Sequence, residues 1–146
     1  MITIQTEFGE MEVSEQDILK FEKGLYGFES VMEYMLLTEE EDSHILLLQP
    51  IQGQVPSFVV IDPYAVYPQY APQMSQEDKN IFAGSSDDDL RFLLIAAVKE
   101  NPLESSVNLK SPIVINSKTK QAAQVILDNA DYPIRYRFLN DKKKGA

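Results

Sequence analysis

Ser105-Ser-Val-Asn-Leu-Lys-Ser-Pro-Ile-Val-Ile-Asn-Ser-Lys-Thr-Lys-Gln-Ala-Ala-Gln-Val-Ile-Leu127 holds two short apolar runs, Ile113 to Ile115 and Val125 to Leu127. The polar, basic residues between them cannot anchor a core, so the stretch reads as a β-hairpin. Pro112 can open a strand, where its missing N–H does least harm, and β-branched Ile113, Val114 and Ile115 suit a pleated, half-buried surface. Past a turn at Asn116 to Lys120, the two-residue period puts Ala123, Val125 and Leu127 on one face and Gln124 and Asp128 on the other. One face is core. A lone hairpin is marginal, so the other apolar runs must pair with it or pack on it.

Working outward, the N-terminal flank gives a second hairpin. Ile2 and Ile4 alternate with Thr3 and Gln5, Met11 and Val13 alternate with Glu10 and Glu12, and Phe8-Gly9 lies between. Ser14 and Asp17 have the spacing of a helix cap and its third residue, with Val13 and Ile18 at the flanking apolar positions, which predicts a short helical turn. Gly24 and Gly27 punctuate a loop with aromatic anchors, and a lone Gly-x-x-Gly with acidic flanks is no phosphate site. Met32 to Leu37 and Ile45 to Leu48 are apolar runs parted by Glu39, Glu40, Glu41 and Asp42, which mark a solvated turn. That turn lacks the spaced ligands and sharply turning glycine of a calcium loop.

Ser57 to Ile61 is the next strand, ended by Asp62-Pro63. The span from Pro50 to Pro72 holds five of the eight prolines and should be mostly loop. Within it Tyr64, Tyr67 and Tyr70 recur every third residue. In a polyproline-type segment that period aligns the rings on one face, suited to a partner's groove or peptide, whereas in a packed loop the rings plug one end of the core. Ser75 to Phe82 reads as a short helix capped by Ser75 and stopped by Gly84. Leu90 to Val98 reads as a buried strand ended by Asn101-Pro102. Ile134, Tyr136 and Phe138 point inward, with Arg135 and Arg137 outward. Many short strands with little helix predict a mainly β, antiparallel barrel-like or sandwich fold with one or two short helices. A single domain spans residues 1–140, with 141–146 as a lysine-rich tail.

Composition narrows the function. Without cysteine and with one histidine, disulfides and ordinary zinc sites are excluded, and a reducing compartment fits best. The start lacks the basic and apolar regions of a signal peptide, and no apolar stretch reaches membrane-spanning length, so a cytoplasmic protein is expected. A net charge of −10 argues against direct nucleic-acid binding. The charge is polarised: residues 1–62 carry 13 acids against Lys20 and Lys23, while residues 90–146 carry 10 bases against 5 acids. That asymmetry suits either electrostatic steering of a partner or plain solvated surface. His44 opens an apolar run beside the acidic turn and reads as a strand-end surface residue. No nucleophile or placed carboxylate pair accompanies it, so no enzyme, cofactor or metal site is expected.

Four ordered stretches carry a resemblance. They are Phe21-Glu-Lys-Gly-Leu-Tyr-Gly-Phe-Glu29, Ser57-Phe-Val-Val-Ile-Asp-Pro63, Val107-Asn-Leu-Lys-Ser-Pro-Ile-Val-Ile-Asn116 and Gln124-Val-Ile-Leu127. In order, spacing and total length the chain resembles the flagellar assembly factor FliW family, departing from it at Tyr26, where the family commonly has proline. The lysine-rich end is not part of the pattern. The resemblance implies a non-enzymatic, cytoplasmic, β-barrel-like bacterial protein with two alternative partners, flagellin and the RNA-binding translational regulator CsrA; a monomer is expected when unbound. It further implies noncompetitive antagonism of CsrA, which relieves repression of flagellin translation once flagellin has been exported.

For the partner surface the residues nominate Tyr64, Tyr67 and Tyr70, with Phe28 and Glu29 of the glycine loop and Asn108 as lesser candidates. Glu39, Glu40, Glu41 and Asp42 form an electrostatic face that would oppose RNA phosphates. Against this stands a purely structural role: Gly24 and Gly27 for the turn, Asn116 and Asp62 for strand-end hydrogen bonds. Two competing classes are a barrel that binds a small molecule in its interior and a general secretion chaperone.

Overall fold

The computed structural model describes residues 2–6, 9–38, 44–52, 57–84 and 86–138. Along the chain lie β1 (Ile2–Thr6), β2 (Gly9–Val13), β3 (Leu19–Phe21), β4 (Glu33–Leu37), β5 (Ile45–Pro50), β6 (Phe58–Ile61), α1 (Pro63–Val66), α2 (Gln76–Ile81), β7 (Leu90–Ala97), β8 (Ser106–Val107), β9 (Ile113–Asn116) and β10 (Gln121–Gln124). The 113–124 hairpin is the seam at which the main sheet closes. On one side β9 pairs antiparallel with β7, from Leu90↔Asn116 to Leu93↔Ile113. On the other, β10 returns to β3 in a parallel pairing, Gln121↔Lys20 and Ala122↔Phe21. With β6 joined to β7, strands β3-β4-β5-β6-β7-β9-β10 form a closed seven-stranded barrel, and β8 is added at the end of β7. Closure removes the open edges that an eight-stranded open sheet would present to other chains.

Register dictates which side chains fill the barrel. Leu93 faces Ile113, Leu48 faces Phe58, Leu19 faces Tyr34 and Ala122 faces Ile115, and these residues form one interior cluster with Phe21, Leu25 and Val60. Burying each large aliphatic side chain stabilises the fold by about 1.5–3 kcal/mol. The interior is therefore packed rather than left open for a small molecule.

The outside of the barrel is covered in two places as well. Ile4 and Val13 of the β1–β2 hairpin lie with Ile18 against Met35, Leu37 and Leu47 on one side. On the other, Tyr70, Phe82 and Tyr132 lie against Leu94, Val114, Val125 and Leu127. All four residues of β9 are consequently buried. The expectation of a single core face is corrected here: Ile113 and Ile115 point in, and Val114 points out beneath a second layer.

The second strand of the hairpin also shifts. It is Gln121–Gln124, not Val125 to Leu127, because the small side chain of Ala122 fits inside the barrel opposite Ile115. Val125 and Leu127 still donate to the Pro112 and Lys110 carbonyls, at 3.1 and 2.9 Å, but have left β3 behind. At the C-terminal end Ile134 does not point inward. It is 64% exposed, and the anticipated strand reduces to a bridge between Val107 and Tyr136. The N-terminal hairpin, the 3₁₀ turn at Glu15–Asp17, helix α2 behind Ser75 and strand β7 stand as the sequence implied. The lysine-rich tail lies outside the described residues.

Candidate functional site

Asp62 ends β6 and starts α1 in one step. Its Oδ1 accepts from the Tyr64 N–H at 3.0 Å, and Pro63 occupies the first helical position, where a missing N–H costs nothing. The chain then winds on, with Tyr67 N–H donating to the Pro63 carbonyl at 2.8 Å and Tyr70 N–H to Tyr67 at 3.0 Å. This corrects the extended, polyproline-type reading of the span. The cause is the cap: once Asp62 satisfies the first amide, a turn of helix outcompetes extension.

Winding brings the three tyrosines together by a different route. Tyr64 and Tyr67 each meet Tyr70 edge-on, at ring-centroid distances of 6.3 and 6.4 Å. Two rings from the C-terminal segment complete the cluster. Tyr132 stacks on Tyr70 at 5.2 Å and 16°, and Tyr136 meets Tyr67 at 5.4 Å. Within the cluster the roles divide. Tyr70 is buried, donates its hydroxyl to the Leu109 carbonyl at 2.8 Å, and is a core plug. Its pKa is pushed well above the ordinary tyrosine value, first by burial and then by Tyr132 and Tyr64. Tyr67 is half-buried, and only Tyr64, at 54% exposure, offers most of its ring to solvent.

The glycine loop presents a second exposed aromatic set. Phe28 is exposed and packs edge-on against Phe58 at 5.6 Å, while Glu29 folds back so that its Oε2 accepts from the Gly27 N–H at 3.1 Å. Tyr26 donates its backbone N–H to Gln124 Oε1 at 3.0 Å, a bond that a proline at this position could not make. Its hydroxyl pKa is raised by partial burial and then by Asp78 and Glu77 of α2. A groove of about 460 Å³ runs between loop, helix and the end of β10.

Asn108 serves the chain itself. Its Oδ1 accepts from Lys110 and Ser111 N–H at 3.1 and 2.9 Å, tying the turn that leads into β9. Asn116 does the same for Lys118 and Thr119. Glu39, Glu40, Glu41 and Asp42 lie outside the described residues. His44 is a surface residue at the start of β5, with Nδ1 3.6 Å from Asp62 Oδ2. Among the described residues no group of three or more His, Asp or Glu could hold a metal, and no helix is long and apolar enough to cross a membrane.

Sequence reasoning missed Tyr132 and read Tyr136 only as an inward residue, because nothing in their spacing ties them to a loop some 60 residues earlier; the Ala71 N–H bond to the Tyr132 hydroxyl spans 61 positions. It also missed the groove, which is assembled from three distant segments.

Comparison with known proteins matches this architecture across nearly its full length. A family model described as FliW protein matches residues 3–138. A flagellar assembly factor FliW of Syntrophus aciditrophicus is 34% identical over 138 residues, covering 94% of this chain and 87% of the relative. That of Caldanaerobacter subterraneus subsp. tengcongensis is 36% identical over 139 residues, covering 94% and 93%. A crystal structure of the flagellar assembly factor FliW superposes with a TM-score of 0.84 at 28% identity, over 93% of this chain and 96% of that one. The resemblance carried by the four sequence stretches is thus borne out, and the chain belongs to the FliW family.

Proposed function

We propose that the protein is a flagellar assembly factor that works in the cytoplasm by binding other proteins, as a monomer when unbound, and not by catalysis. The single observation that carries this is the family match over residues 3–138, since this is a family of assembly factors and not of enzymes. Its partners are flagellin and the translational regulator CsrA, bound alternately. While flagellin accumulates it occupies the factor; once flagellin is exported the factor turns to CsrA, lowers its affinity for flagellin mRNA without occupying the RNA site, and translation resumes. By linkage, RNA must lower the affinity of CsrA for the factor by the same ratio.

The tyrosine cluster supports the protein-binding reading, because it sets an exposed, rigid ring on a buried base. Tyr64 is 54% exposed, yet its ring is held edge-on against buried Tyr70. Such pre-ordered aromatics lose little entropy on docking. A partner contact at Tyr64 therefore predicts that Tyr64→Ala weakens binding at nearly constant stability. For the acid run Glu39 to Asp42 the proposal is electrostatic: reversing all four to lysine should impair RNA release more than docking to CsrA. A parallel loss of both, or of neither, would remove the field argument.

The decisive experiment is calorimetric titration of the protein into CsrA, repeated with the protein saturated by flagellin. Binding that disappears in the loaded sample establishes exchange between the partners. Binding that persists unchanged refutes it in favour of a ternary complex, and binding of many unrelated secreted proteins would instead mark a general secretion chaperone.

A further inference from the structure

At one mouth of the barrel β10 outruns its neighbour. The parallel ladder with β3 ends at Ala122↔Phe21, because the chain after Phe21 turns away at Gly24. Beyond that point the loop is tied to β10 by a side chain, Gln124 Oε1, and not by strand pairing. The β9 side continues: Val125 and Leu127 donate their N–H groups to the Pro112 and Lys110 carbonyls. Alternation along an extended chain then aims the Ile126 N–H and C=O the other way, into the groove. Ile126 makes no main-chain hydrogen bond with another described residue, and its side chain is 52% exposed. This is an open strand edge at the mouth of the closed seven-stranded barrel.

The groove around that edge has a definite character. Ile81, Ile126 and Tyr26 give it apolar surface, while among the described residues Glu22, Glu29, Glu77 and Asp78 set four carboxylates about it against Lys23. A strand edge offers main-chain affinity to any extended peptide, and the surrounding charge selects which peptide enters. We propose that this groove receives an extended, basic segment of a partner protein, which adds along residues 124–126 as an extra strand and sets its lysines or arginines against the four carboxylates. Among the described residues nominated from sequence, Glu29 lines the groove. The proposal goes beyond exchange between flagellin and CsrA and does not depend on it.

The test uses the isotopically labelled full chain and an alternating valine–lysine octapeptide, with a valine–glutamate octapeptide as control. Titration should show binding of the basic peptide alone, weakened by salt, with slowed hydrogen exchange at the Ile126 amide. The double variant Glu77→Lys, Asp78→Lys should weaken binding about tenfold, since two attractive contacts become repulsive. Should that variant prove misfolded by circular dichroism, Glu22→Lys on the opposite wall should still reduce affinity several-fold, by about threefold. Equal binding of the acidic peptide, unchanged exchange at Ile126, or full affinity in the folded charge variants would overturn the proposal. So would an Ile126 amide already protected in the intact chain and released in a chain ending at residue 140, because the lysine-rich tail would then be the occupant. Since the probe represents neither flagellin nor CsrA, its failure leaves the exchange reading standing.

Discussion

Replacing Gly24 or Gly27 by alanine separates a steric collision from a conformational cost within a single loop. Both glycines are left-handed, at φ +63° and +89°. Adding a Cβ in that region costs roughly 1–2 kcal/mol for an L-residue. At Gly27 nothing lies within 4 Å of the added atom, so this is the whole expected penalty. At Gly24 the Cβ would stand 2.7 Å from both Glu29 Cα and Glu29 O, and 2.8 Å from the Glu29 carbonyl carbon. These are main-chain atoms, and relief requires moving the whole turn. That turn is fixed by Gly24 N–H on the Phe21 carbonyl at 3.0 Å, Phe28 N–H on Leu25 at 2.8 Å and Tyr26 N–H on Gln124. Breaking one or two such bonds adds about 1 kcal/mol each. Gly24→Ala should therefore cost about 2–4 kcal/mol, against about 1–2 kcal/mol for Gly27→Ala. Urea denaturation followed by circular dichroism measures both, provided the slopes agree. Equal losses in the two variants, or a smaller loss at Gly24, would show that the loop is soft and refute the close-approach argument.

Tyr34 is fully buried in the barrel with a hydroxyl that has no hydrogen-bond partner among the described residues, so Tyr34→Phe should stabilise the protein by about 1 kcal/mol and raise Tm by about 3 °C. A lowered Tm would contradict this. Tyr70→Phe should cost about 1–2 kcal/mol in denaturant titration by orphaning one acceptor site of the buried Leu109 carbonyl. Burial raises the pKa values of Tyr34 and Tyr70 above 10.0. Below pH 10 both are neutral whether folded or unfolded, but above it the unfolded chain ionises first, so stability should fall as pH climbs. Phenolate absorbance from these two rings should then appear together with unfolding; ionisation in the intact fold would refute the burial argument. Asn108→Ala should lower stability by about 1–2 kcal/mol and change partner affinity only through the folded fraction.

Local signals in the sequence were sufficient wherever the deciding interactions are themselves local. The Ser14 and Ser75 caps, the Asn116 turn and the alternation of β1 with β2 each depend on residues a few positions apart, and all are present. Failure begins where a second layer decides. Val114 looks like the outward residue of a half-buried strand, and nothing near it in sequence reveals that Tyr70 and Tyr132 lie over the same face. Ile134 shows the converse, since its alternation with Arg135 matches a strand that lacks a partner long enough to bury it. The tyrosine triplet was legible as a cluster but not as a helix turn, because the three-residue period fits both. Only the Asp62 cap distinguishes them.

Coverage of the barrel's exterior in two places limits where it can bind a partner. The β1–β2 hairpin covers one part of the exterior and the tyrosine cluster with residues 125–138 another, so the strands beneath these layers are not bare for docking. Tyr64, an exposed ring on a buried base, and the strand edge beside Ile126 remain accessible. These two places share one stretch of chain. Val125 and Leu127 are buried in the same cluster as Tyr70, while Ile126 between them lines the groove. A strand packed so closely on one side transmits displacement poorly as a continuous deformation, because interiors at crystal-like density resist it. Exclusion between partners would therefore come from overlap or from charge, not from a change of shape passed through the barrel. Charge variants at Glu77 and Asp78 would alter the exchange of partners only if one of them also uses the groove.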